Sequence, residues 1–355
     1  MSDAPVPDVI NALRLQAGFC RSLGSPLNAD LLERATDDAL AGGPVRGLLA
    51  PWEGQPLQAQ FDAATPLRLI GSWHELALSG DDPAVSAAYD ALEADAIWAA
   101  VRVAMVERAG RLAAFMTHEP QTNEVRRSIC LLGGFLEIAQ ATGGLPMRCF
   151  EIAASAGLNL SWDRYRYRMG EAAWGDPAAA VRMDADWTGP APPVDAPIEV
   201  IERAACDRRP TDLDDPVQRR RLMAYVWADQ PERLARLRAA IAVTRTNRVH
   251  VEAADAADWV RAKVRPRAGA ATVLYHSVFW QYMTPQNRAA LRALIGELGA
   301  AATADAPFAW LRMEPPEDMM GMEVRLTLWP GGQERKLAEV HPHGAMVRWG
   351  DANAS

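Results

Sequence analysis

A chain of 355 residues with 49% hydrophobic and 23% charged side chains is long enough to bury a full core and to form two structural regions. Its formal net charge of -8 argues against the broad basic surface that nucleic-acid phosphates require, so a nucleic-acid partner is not expected. No run reaches the ~18 apolar residues needed to span a bilayer, and the first residues lack the pattern of an export signal. A cytoplasmic protein without membrane contact is therefore expected. Cys20, Cys130, Cys149 and Cys206 show no Cys-x-x-Cys spacing and read as buried reduced thiols.

From the N-terminus to about residue 144 the pattern is helical. The runs 9–23, 29–41, 64–79, 84–108 and 124–142 carry apolar residues at three- and four-residue spacing. Breakers separate them at Gly24-Ser-Pro26, at a loop over 42–63, at Gly80-Asp-Asp-Pro83 and at His118-Glu-Pro120. An all-α cap region over 1–144 is expected.

Beyond Gly144, short β-rich runs alternate with helical ones, the pattern of a sheet flanked by helices. Five core strands are expected at 148–153, 198–204, 248–253, 272–278 and 308–313, with helices at 157–165, 232–246, 256–264 and 285–299. An insertion over 165–197 adds a small β excursion. A hairpin closes the pattern, its strands at 323–329 and 336–341 flanking Pro330-Gly-Gly332. The fold class is thus α/β, with a Rossmann-like, mostly parallel sheet and a C-terminal antiparallel hairpin over 145–355.

Glu151-Ile-Ala-Ala-Ser-Ala-Gly157 is the most informative stretch: a buried strand ending in an acid, then a turn of small residues opening a helix. It resembles the acid-x-Gly-x-Gly-x-Gly loop of S-adenosylmethionine-dependent methyltransferases, with Ala153 and Ser155 standing where glycines are usual. Small residues let a ligand approach the backbone, and the first amides of a following helix are unpaired donors. A plain strand-to-helix turn would share this composition. A nucleoside also calls for an acid after the second strand, to accept from both ribose hydroxyls. Asp207 and Asp229 compete for that place, and helix capping is the other reading of Asp229. After the third strand, Asp255 is the candidate for the adenine amino group, or a cap.

The fourth strand ends in Leu274-Tyr-His-Ser-Val-Phe-Trp-Gln-Tyr282. His276 suits proton transfer, and Trp280 and Tyr282 suit the walls of a sulfonium pocket. A histidine in a buried strand is also commonly a satisfied core residue. Gln121-Thr-Asn-Glu124 gathers directed hydrogen-bonding groups beside the same edge, with Thr122 as a helix cap and Asn123 facing the acceptor. His74 and His118 have no visible metal partner, and His341-Pro-His343 lacks a third ligand, so no metal site is expected.

Taken together, Gln121-Thr-Asn-Glu124, Glu151 to Leu160 with Asn159, Asp163-Arg-Tyr165, the run from Val226 to Leu234, His276 to Tyr282 and His341-Pro-His-Gly344 resemble the bacterial domain of unknown function 2332. The resemblance spans nearly the whole chain and departs at Ala153, where the family is similar to a glycine. It implies a class I methyltransferase-like fold and carries no established reaction. The expected activity is methyl transfer from S-adenosylmethionine to a small molecule. Glu151, Ala153, Ser155, Gly157, Asn159, Asp255 and one of Asp207 or Asp229 would hold the cofactor; His276, Tyr282 and Asn123 would face the acceptor. The alternative is a nucleoside-binding or regulatory module without turnover. A dinucleotide dehydrogenase ranks lower, because the hairpin and the sparse glycines suit that ligand poorly.

Overall fold

A computed structural model describes residues 6–121, 123–316 and 319–350. Thr122, the expected cap, lies outside the described residues. The chain divides into two compact units: Met1–Thr122 with Asp214–Ala235, and Asn123–Leu213 with Arg236–Ser355.

The helical unit holds α1 (Asp8–Ser22), α2 (Pro26–Leu40), α3 (Pro44–Leu49), α4 (Leu57–Asp62), α5 (Thr65–Ser79), α6 (Pro83–Ala91), α7 (Ala94–Glu107) and α8 (Ala109–Met116). Proline in the first turn starts α2, α3, α5 and α6, where a missing N–H costs nothing. The single helix expected at 84–108 is broken at Leu92, whose φ of 54° ends α6. The loop expected over 42–63 contains α3 and α4. The buried face of α3 joins those of α2, α5 and α7 in a core that includes Leu31, Leu32, Leu69, Trp73, Ile97 and Val101.

The next helix, α9 (Arg127–Ala141), belongs to the sheet unit, whereas α10 (Pro216–Ala224) and the first turn of α11 (Pro231–Thr246) return to the helical one. The reason is packing. Residues 128–136 of α9 are buried without interruption. Its Gly133 and Gly134 make room for Trp349 and Leu311 of the sheet. Conversely, Gly71 of α5 makes room for Tyr225 just after α10, whose ring would lie 2.8 Å from an added Cβ.

Among the described residues the sheet unit contains eleven strands: β1 (Met147–Ile152), β2 (Arg166–Met169), β3 (Ala172–Trp174), β4 (Arg182–Thr188), β5 (Val200–Asp207), β6 (Val251–Ala253), β7 (Ala271–Ser277), β8 (Phe308–Glu314), β9 (Glu323–Trp329), β10 (Gln333–Val340) and β11 (Met346–Trp349). Their order is β3-β2-β4-β11-β10-β9-β8-β7-β1-β5-β6. From β6 to β8 every pair is parallel. Strands β8 to β11 form an antiparallel meander. The segment expected as a small excursion instead supplies β2, β3 and β4, extending the sheet beyond β11. This mixed α/β architecture with a mostly parallel sheet agrees with the expected fold class at that level. Helices α12 (Ala256–Lys263) and α13 (Pro285–Ala300) bury Phe150, Leu274, Phe308 and Trp310 on one face. On the other, Phe135 of α9 meets Tyr275 of β7.

Candidate functional site

Between β1 and β7 the winding reverses, since β1 is followed outward by β5 and β6 and β7 is followed the other way by β8. In open α/β sheets, ligands bind in the crevice outside the carboxyl ends of the strands at such a reversal. The backbone at that edge is strained. Ala153, Ser155 and Gly157 after β1 have φ of 55°, 54° and 71°, and Val278 after β7 has φ of 54°. Left-handed non-glycine residues cost about 1–3 kcal/mol each, the more so for a β-branched valine, and such strain gathers at functional edges.

The helix expected after β1 is a 3-10 helix over Leu158–Arg164, and Ser161 interrupts it. Its amides are not vacant. Ala154 N donates to Cys206 O (3.1 Å), Gly157 N to Ala154 O (2.8 Å) and Leu158 N to Asn123 Oδ1 (2.9 Å). Gly157 is required by the fold itself, because a Cβ there would lie 2.9 Å from both Val249 and Val251.

Glu151 ends β1 in the interior, 3% exposed, and accepts a hydrogen bond from Tyr275 Oη at 3.3 Å. Among the described residues it has no cationic partner. Burial is the main cause that pushes its carboxyl up to about 8; the tyrosine bond opposes this and the charge of Asp207 adds to it. Two more polar atoms here are buried without partners, Ser155 Oγ and Asn159 Oδ1. Asn159 donates through Nδ2 to Glu124 O at 3.3 Å. Asp207, at the end of β5, accepts from Ser155 N and Arg209 N, both at 2.8 Å. Glu151, Ala153, Ser155, Asn159, Asp207 and Asn123 thus converge on one edge.

Other expected residues fall elsewhere. Asp229 belongs to the helical unit, where it accepts from Ser25 Oγ (2.7 Å) and Leu27 N (3.1 Å) at the start of α2. Asp255 caps α12 through Ala257 N at 3.0 Å. Tyr282 is 75% exposed. His276 is fully buried and faces away from Glu151: its register neighbour Tyr275 meets Glu151 and α9, while His276 stacks on Trp280. Adjacent residues of a strand point to opposite faces.

Both ring nitrogens of His276 are occupied. Trp310 Nε1 donates to Nε2 (3.1 Å), which assigns the proton to Nδ1, and Nδ1 meets Glu314 Oε1 at 2.6 Å. Glu314 also accepts from Phe279 N and Trp280 N. Sequence reasoning missed Glu314, the anchor that fixes the turn after β7; its signal is an acid at a strand end immediately before Pro315-Pro316.

The four cysteines are unpaired and buried, and burial pushes Cys130, Cys149 and Cys206 up to about 12. Among the described residues no group of three potential ligands could hold a metal ion, and no helix is long and apolar enough to cross a membrane.

The fold is that of a mixed α/β protein whose candidate site lies at the sheet's reversal point. The chain belongs to the family of uncharacterized proteins conserved in bacteria designated domain of unknown function 2332, whose model matches residues 10–349. No curated protein and no solved structure matches it.

Proposed function

We propose that the sheet unit is an S-adenosylmethionine-dependent methyltransferase acting on a small molecule. What carries the reading is Glu151: an acid buried at the reversal point without a cation to neutralise it. A ligand bearing a sulfonium and an ammonium would supply that charge, and burial strengthens the attraction. S-adenosylmethionine supplies an activated methyl group when bound. Ser155 Oγ and Asn159 Oδ1, buried and unpartnered, are the further groups available to it. Asp207 and Asn123 order the loop by holding Ser155 N and Leu158 N. His276 serves through Glu314, keeping the turn from Val278 to Trp280 in shape, since neither ring nitrogen is free to take a proton.

That same saturation of His276 favours a second reading, a nucleoside-binding module without turnover. Calorimetry with S-adenosylmethionine, S-adenosylhomocysteine and NAD separates the readings. We expect the first two to bind and NAD not to. Affinity for the cationic sulfonium should rise with pH toward about 8 as Glu151 ionises, with a proton released on binding below that value. Glu151→Gln should remove the pH dependence and weaken binding by about tenfold or more. Undiminished binding by Glu151→Gln would refute the site; binding without product in an acceptor screen would favour the module.

A further inference from the structure

On the α13 face, beyond the carboxyl ends of β7 and β8, lies an open cleft of about 760 Å³ whose lining includes Trp280, Glu314, Pro315, Glu323 and Glu334. Small-molecule pockets span roughly 300–1,000 Å³. In a chain of net charge -8, four arginines line this one cleft: Arg288, Arg292, Arg312 and Arg325.

Three glutamates share the cleft, and each is already committed. Glu314 is held by His276 Nδ1 and the amides of Phe279 and Trp280. Glu323 pairs with Arg325 at 2.7 Å. Glu334 bridges Arg312 at 2.5 Å and Arg325 at 2.9 Å. Nothing acidic among the described residues remains for α13. Among the described residues Arg288 donates only to carbonyls, Met283 O at 3.1 Å and Gln281 O at 3.3 Å. Arg292 lies 5.6 Å from the centre of the Trp280 ring, a cation–π contact, and among the described residues its donors have no acceptor. In the floor, Arg312 keeps Nη1 buried without a partner while its guanidinium packs 4.0 Å over Trp310.

The geometry points to a binding site for a small organic anion, its phosphate or carboxylate group held by Arg288 and Arg292 with Arg312 behind them. Guanidinium forks match the paired oxygens of either group, and aromatic rings already hold Arg292 and Arg312 in place. Residues 288 and 292 are four apart on a helix, so both side chains rise from one face toward the same space. The site does not depend on the methyltransferase reading, because its ligand chemistry is set by arginines on α13 and β8, not by Glu151.

Isothermal titration of the full chain with inorganic phosphate, and in a second arm with citrate, at constant ionic strength maintained with chloride, tests this without S-adenosylmethionine. Saturable binding is expected, and the arm with the higher affinity identifies phosphate or carboxylate as the preferred group. Arg288→Gln with Arg292→Gln, checked for native circular dichroism, should weaken binding about tenfold or more. Glu334→Gln should tighten it, because removing that carboxylate frees Arg312 and Arg325; a merely structural patch would not respond so. No saturable binding below about 20 mM, equal affinity in the double variant, or weaker binding by Glu334→Gln would overturn the site.

Discussion

A carboxyl group sealed in the interior at the end of β1 keeps its proton up to about pH 8 in the folded protein, against 4.5 for an ordinary glutamate. Between those values the unfolded chain binds fewer protons than the native one, so stability falls as pH rises and levels off above about 8. The slope in that window is about 1.4 kcal/mol per pH unit for one group. Glu151→Gln carries no such penalty. Urea unfolding at three pH values from 5 to 8 should show the variant gaining on the parent as pH increases; parallel curves would mean that Glu151 is ionised in the fold. At Gly157 the sequence pointed to close approach by a ligand, and the structure shows close approach by Val249 and Val251 instead. Both demands select glycine, so the residue type alone cannot tell them apart.

At the scale of elements, α9 seats on the sheet through two adjacent glycines. Cβ atoms on Gly133 and Gly134 would collide with Trp349 and Leu311. Replacing both with alanine should cost about 2–4 kcal/mol by overpacking, read as a lower midpoint in thermal unfolding. Adding Leu311→Ala should recover part of the Gly134 share, which a change in helix propensity alone would not allow. The strands β1, β7 and β8 were legible in sequence because they are buried on both faces and rich in apolar and aromatic residues. Strands β2 to β4 were legible only as a β excursion without bounds. Arg166-Tyr-Arg-Met169 alternates charge with bulk over only four residues, and its neighbours are as short or half-exposed. Helix α10, Pro-Val-Gln-Arg-Arg-Arg-Leu-Met-Ala, has no apolar stripe, and only Leu222 and Ala224 are buried. At the candidate site the loop after β1 was legible from its small side chains. The partners of His276 were not, because Trp310 and Glu314 lie 34 and 38 residues away and meet it only through strand pairing.

Taken whole, the molecule is composed of interleaved segments. The helical unit draws Asp214–Ala235 from between β5 and β6. Tyr225 fills the gap beside Gly71, and Ala224 O lies 3.2 Å from His74 Nδ1. A fragment ending at residue 122 should therefore unfold at a markedly lower temperature than the same unit in the full chain. Supplying residues 214–235 through a short linker should restore much of the difference, and no effect of the linker would show that α10 is dispensable. This arrangement also sets a timetable at the ribosome, where chains emerge N-terminus first. The earliest helices must wait until residue 235 has been made before their last neighbour arrives. Strand β1 has β5 beside it after residue 207, yet its other flank stays open until β7 is complete at residue 277. The edge carrying Glu151 is begun early in synthesis and closed late, for Tyr275, which donates to that acid, follows it by 124 residues.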